Sequence, residues 1–92
     1  MSNIELQIKE LIKNEISVFQ INLIDDSYKH INHKKDTQGK HFRLLVVSDD
    51  FLPLDLMKRH QLLYKILGHM LKKEIHALSM KLLTREEYQQ NM

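Results

Sequence analysis

The chain has no cysteine in its 92 residues. Without thiols there is no disulfide framework, which a secreted fold of this size would often need. There is also no thiolate for a soft metal or an iron–sulfur cluster, so sulfur ligands for such a site must come from another molecule. Glycine is scarce too: Gly39 and Gly68 are the only two, and no Gly-rich phosphate loop can be built from them. No apolar run approaches a bilayer span. Residues 1–10 set Asn3, Glu5, Gln7 and Lys9 among apolar positions, so no secretory h-region is present and a cytoplasmic protein is expected. Charge of one sign is lacking as well. Fourteen Lys and Arg against 12 Asp and Glu leave +2, too little to argue for nucleic acid without clustering. No cysteine nucleophile, nucleophile elbow or locatable carboxylate pair supports an enzyme.

What the chain does have is histidine, six in all. His30, His33 and His41 fall in or beside one polar stretch, His60 and His69 in a helical run, and His76 at the head of an alternating segment. At 42% hydrophobic and 28% charged residues the composition is that of an ordinary globular protein. The length suits a single domain over residues 1–92 with one modest core.

Ser2 and Glu5 have capping-box spacing, and Ile4, Ile8, Leu11 and Ile12 line one face of a first helix ending near Glu15. From Ser17 to Asp25 the period becomes two, with Phe19, Ile21 and Leu23 inward, the pattern of a strand with one wet face. Asp26 to Lys40 reads as a loop or wide hairpin connection. The segment from His41 to Ser48 is a second strand, and its apolar run Leu44–Val47 suits burial on both faces. Asp49 to Pro53 turns the chain. From Leu54 to Lys73 the helical period returns through Leu56, Leu63, Leu67 and Met70, with His60 on the same stripe, as one long helix or two with a bend. Glu74 to Leu82 alternates again, with His76, Leu78, Met80 and Leu82 on one side, and Thr84 to Glu87 is a capping box opening a last short helix. The order helix-strand-strand-helix(-helix)-strand-helix, with a crossover before the third strand, predicts an α+β fold: a three-stranded mixed sheet with helices packed on it.

Several of these pieces, in this order, resemble the BolA family. They are the lead Asp25-Asp26-Ser27-Tyr28-Lys29-His30, His41-Phe42 opening a strand that ends Val46-Val47-Ser48, and then Phe51. Arg59-His60 with Tyr64 and Ile75-His76-Ala77-Leu78 closing on Thr84 complete the string. The resemblance runs from about Ile24 to Tyr88 and looks most like the bacterial form. Pro53 departs from it, standing where the family usually has glycine.

The resemblance implies a class II KH-like fold and a non-enzymatic adaptor. Such proteins pair with a monothiol glutaredoxin, and the pair holds a [2Fe–2S] cluster for iron–sulfur trafficking or for redox or iron sensing. It also implies that the glutaredoxin cysteine and glutathione give the thiolates. On this sequence the matching histidines are His76 and, from the loop, His30, with His33 in reserve. Taken as residues alone, a strand-end histidine is more often packed or hydrogen-bonded than a ligand. A His-x-x-His pair in a loop is more often solvated surface, since zinc sites add further ligands on ordered backbone. His41 could orient the loop, His60 reads as a buried imidazole bonded to backbone, and His69 as surface. Alone, the chain is expected to hold no cofactor and to be a monomer or weak homodimer.

Members of the family are also described as transcriptional regulators of stress response and cell morphology, which makes DNA the alternative partner. Lys58, Arg59, Lys65, Lys72 and Lys73 dot the long helical region, and basic clusters are what phosphate contact requires. Asp49, Asp50, Asp55 and Glu74 dilute that field. With two glycines far apart, the Gly-x-x-Gly clamp on single-stranded RNA is absent.

Overall fold

Isoleucines at helical spacing build the first element. The computed structural model describes residues 3–26, 40–71, 73 and 75–90, the side chains of residues 3, 40 and 76 excepted. It opens on α1 (Asn3–Glu15), in which Ile8 and Ile12 are fully buried and Ile4 and Leu11 pack half-buried beside them. Ser2, the expected cap, lies outside the described residues. β1 (Gln20–Asp25) starts later than the alternation suggested. Ile21 and Leu23 are half-buried while Asn22 and Ile24 are exposed, so the wet face is where period two puts it. Phe19 does not join the inward set. It precedes the strand, is 50% exposed, and lies under the Arg85 guanidinium at 4.3 Å from the ring centroid, a cation–π contact in place of core burial.

β2 (Lys40–Val47) is the middle strand of the order β1-β2-β3, antiparallel to β1 and parallel to β3 (Ile75–Leu83). Phe42, Leu44 and Val46 are buried, alternating with exposed Arg43 and half-buried Leu45. Burial on both faces, expected for Leu44–Val47, therefore holds at Val46 and Val47 but not at Leu45, which shares the open face with Arg43, Asn22 and Ser79. The core, including Phe51, Leu63, Leu67, Met70, Ile75 and Leu82, sits on the opposite side of the sheet.

The end of β2 is tied down by short polar side chains around a 3-10 turn (Asp49–Phe51). Ser48 Oγ donates to Ser17 O at 2.5 Å and accepts from Asp50 N–H at 3.1 Å. Asp50 Oδ2 accepts from Ser17 N–H at 2.8 Å, and Asp49 Oδ1 accepts from Arg85 N–H at 3.1 Å. Pro53 falls in a turn closed by Leu54 N–H to Phe51 O at 2.9 Å, a position that asks no amide of residue 53.

Asp55 then caps α2 (Leu56–Leu67) by accepting from Lys58 N–H at 2.9 Å. The helix is single and ends at Leu67, and turns carry the chain on through Met70. Leu63, Leu67 and Met70 are buried as their spacing predicts. Leu56 is not: it is 63% exposed. Leu56 lies seven residues before Leu63 and so on the same side of the helix as Arg59, Leu63 and Leu67, but burial begins only at Arg59 and the first turn stays in solvent.

Arg59, 6% exposed, is held from every side. Its Nε donates to Leu54 O at 2.9 Å, and Nη1 donates to Leu82 O at 3.0 Å and to Glu87 Oε1 at 2.7 Å. Nη2 reaches Glu87 Oε2 at 3.3 Å, and Phe51 lies 5.7 Å from the guanidinium carbon. Glu87 also completes the expected capping box of α3 (Arg85–Gln90): Thr84 N–H donates to Oε1 at 2.8 Å while Glu87 N–H donates to Thr84 Oγ1 at 3.2 Å.

The hydrogen bond from Arg59, then that from the Thr84 amide, holds the Glu87 carboxyl down at about 2. A carboxylate with a lowered folded pKa contributes stability above its ordinary value of 4.5, and that contribution is lost as pH falls from there towards about 2. Glu87→Gln is therefore expected to be less stable at neutral pH and to show a flatter loss of stability through this acid window. Urea unfolding at a series of pH values checks this; parallel curves for the two proteins would contradict it.

Candidate functional site

Three segments distant in sequence meet at one end of the sheet. β1 leaves the sheet at Asp25, β2 enters at Lys40 and β3 enters at Ile75, and the antiparallel and parallel pairings bring these points together. Asp26 N–H donates to His41 O at 2.7 Å, so pairing of β1 and β2 extends to the mouth of the connecting segment. Across that mouth Arg43 Nε meets Asp26 Oδ2 at 2.6 Å, with the Asp side chain 13% and the Arg side chain 54% exposed. A shallow pocket of about 280 Å³ has Asp26, His41, Arg43 and Ala77 in its wall.

The ladder between β2 and β3 slips at this end. Lys40 opposes Ile75, yet His41 opposes Ala77, which leaves His76 as an extra residue in a β-bulge. Bulges are uncommon in parallel pairs and recur beside functional sites. Of the run expected along one side, Leu78, Met80 and Leu82 do face the core, while the side chain of His76 lies outside the described residues. Alternation holds from Leu78 onward, but Ile75, of the other parity, is 1% exposed in the core. The backbone change at His76 is what lets both Ile75 and Leu78 serve the same side.

His30 and His33 lie outside the described residues, as does Lys72. The segment that carries the two histidines departs from Asp26 and returns at Lys40, both at the end where β3 begins. His41 is half-buried at the start of β2, and His69 is exposed, as expected. His60 is bonded to backbone, with Nδ1 2.9 Å from Leu56 O, but it is half-buried rather than buried. Among the described residues no three His, Asp or Glu side chains converge on a metal-sized site.

The basic set expected on the long helix loses a member. Lys58, Lys65 and Lys73 are exposed, but the Arg59 guanidinium is buried and already bonded to Leu54, Leu82 and Glu87, so it offers nothing to a phosphate. Residue spacing did not reveal the Asp26–Arg43 pair. Arg43 stands opposite Ile24 in the register, so the pair is diagonal and visible only once the strand alignment is known. No helix among the described residues is long and apolar enough to cross a membrane.

Comparison with known proteins matches residues 12–87 to the BolA-like protein family. The chain is 32% identical over 85 residues to the DNA-binding transcriptional regulator BolA of Haemophilus influenzae, covering 90% of this chain and 82% of that protein. It is 36% identical over 80 residues to SufE-like protein 1, chloroplastic/mitochondrial, of Arabidopsis thaliana, covering 80% of this chain but 22% of that protein. The solved structure of the BolA domain of SufE1 from Arabidopsis thaliana superposes with a TM-score of 0.82 at 34% identity, covering 95% of this chain and 98% of that one.

If the Asp26–Arg43 pair closes the mouth of the 27–39 segment, Asp26→Ala should cost about 1 kcal/mol, the scale of a partly buried ion pair with its hydrogen bond. The loss should be local. Amide hydrogen exchange is expected to accelerate at His41 and Phe42 while Val46 and Val47, at the other end of β2, keep their protection; uniform acceleration along the strand would contradict this.

Proposed function

Because the chain belongs to the BolA-like protein family, we propose that it is a non-catalytic adaptor that binds a monothiol glutaredoxin and shares a [2Fe–2S] cluster with it. The observation that carries this reading is the bulge at His76, at the same end of the sheet as both anchors of the segment bearing His30 and His33. Four residues span at most ~14 Å, so His30 is tethered within reach of this end by covalent geometry alone. The donor set fits one half of such a site. His76 would give one imidazole nitrogen and His30, or His33 in its place, the second, while a chain without cysteine leaves both thiolates to the glutaredoxin and glutathione. Bound in this way, the cluster supplies one-electron chemistry and a transferable iron–sulfur unit. Neutral imidazoles in place of two thiolates remove negative charge from the site and raise the potential relative to an all-cysteine cluster.

A second reading, DNA binding in transcriptional regulation, draws on the description of the Haemophilus influenzae relative and on the exposed Lys58, Lys65 and Lys73. The burial of Arg59 weakens it, since arginine is the residue best suited to bidentate contact with phosphate and base edges.

Reconstitution of the glutaredoxin pair with glutathione, iron and sulfide tests the first reading. His76→Ala should remain folded, lose the visible circular dichroism of the mixed pair and lose nitrogen hyperfine coupling in the reduced form, as glutaredoxin reverts to its own all-thiolate dimer. His30→Ala alone should have a smaller effect than the double change of His30 and His33, which should match His76→Ala. Unchanged spectra in His76→Ala would reduce the role of this chain to docking without ligation. For the second reading, duplex affinity should fall steeply with salt, and Lys72→Glu with Lys73→Glu should abolish any preference for a specific duplex over a random one. The expected result is weak binding with no such preference.

A further inference from the structure

One flank of α2 leaves large apolar side chains in solvent. The inward row Arg59, Leu63 and Leu67 seats the helix on the core. Yet Leu56, Met57 and Tyr64 stand 63%, 69% and 47% exposed, and Leu52, just ahead of the helix, is 64% exposed. Isolated exposed apolar residues need no explanation, but a run concentrated on one element marks an interaction surface. At 100° per residue Met57, His60 and Tyr64 fall along one flank of the helix, between the buried row and an outermost row of Lys58, Gln61 and Lys65 that edges them on the solvent side. Both lysines are exposed. From Leu56 to Lys73 the chain contains no aspartate or glutamate. Asp55, immediately before, is committed to the helix cap.

We propose that this face of α2 docks an acidic amphipathic segment of a client protein, one with apolar residues three or four apart and Asp or Glu beside them. Methionine and tyrosine in the middle with lysine at the edge is the anatomy of a protein interface, apolar at the core and charged at the rim. From Leu56 to Tyr64 the stripe runs ~12 Å along the axis, about two turns of a partner helix. A second copy of this chain is a poor occupant, because a two-fold contact would set Lys58 and Lys65 against their own counterparts. Nucleic acid fits poorly too: its interfaces are polar and strongly basic, whereas here the middle is apolar and Arg59 is buried. Leu52, Leu56 and Met57 lie at the end of the sheet opposite to His76, since β2 runs from His41 to Val47 before α2 begins. The docking surface is thus independent of the cluster reading.

The test uses the full chain and a displayed library of random peptides of about 16 residues, enough for about four helical turns. Enriched peptides should combine Asp or Glu with apolar residues at helical spacing. A synthetic copy of the strongest should bind about tenfold or more weakly to Leu56→Glu and to Met57→Glu, the loss typical of an interface anchor. Those variants should keep the parental melting temperature, because both side chains are largely exposed. Binding should weaken as salt rises from about 50 to about 300 mM, and that dependence should flatten when Lys58 and Lys65 become glutamate. His76→Ala should bind the peptide like the parent, which separates this result from the fate of the cluster reading. The proposal is overturned by peptides enriched without acids, or by binding indifferent to Leu56 and Met57. It is equally overturned if no peptide is selected while phosphatidylserine vesicles or a random DNA duplex bind this face, or if Met57→Glu abolishes self-association instead.

Discussion

The guanidinium of Arg59 is the interaction on which the rest of the structure depends. A buried cation is tolerable only when its donors are used, and here they reach the turn before α2, the end of β3 and the carboxylate of Glu87 in α3. One side chain therefore fixes the approach of α2 to the sheet and the direction in which the chain leaves β3. Glu87 serves two purposes at once, satisfying free amides at the start of α3 and neutralising Arg59. Neither residue could be replaced alone without leaving the other's polar atoms short of partners.

The two ends of the sheet are built differently. At the end near Val47, Ser48, Asp49 and Asp50 bind the amides and carbonyls of Ser17 and Arg85, and Arg59 closes the corner from the other side. Polar capacity there is spent inside the molecule. At the other end the ladder carries the bulge at His76, an ion pair between Asp26 and Arg43, and the long connection between β1 and β2.

Much of this was legible in the sequence because it rests on periodicity. Ile8 and Ile12, the wet face of β1, the parallel pairing of β2 with β3 and the Thr84–Glu87 box all follow from local spacing. What escaped was set by tertiary register. Arg59 looks like a surface cation until Glu87 and Leu82 are brought to it across the sheet, and Phe19 looks inward until Arg85 covers it. The bulge is likewise invisible, because strict alternation through His76 and Leu78 is the simplest pattern and only the buried Ile75 betrays the slip. The candidate ligands were found through the resemblance of the whole string, since a histidine at a strand end has no chemical signature of its own.

The lack of cysteine gives the proposed role its logic. A chain that can offer only imidazoles cannot retain an iron–sulfur cluster by itself, so on this reading ligation requires the thiolates of the partner. Such a half-site makes metal occupancy a report on the partner's presence and not on this chain's own affinity. A docking face on α2, at the far end from His76, would add a second contact without competing for the imidazoles. Two separate contacts on one small rigid body raise the effective concentration of each bound molecule near the other. The buried Arg59 makes that coupling possible, because it locks the helix that bears one surface to the strand whose opposite end bears the other.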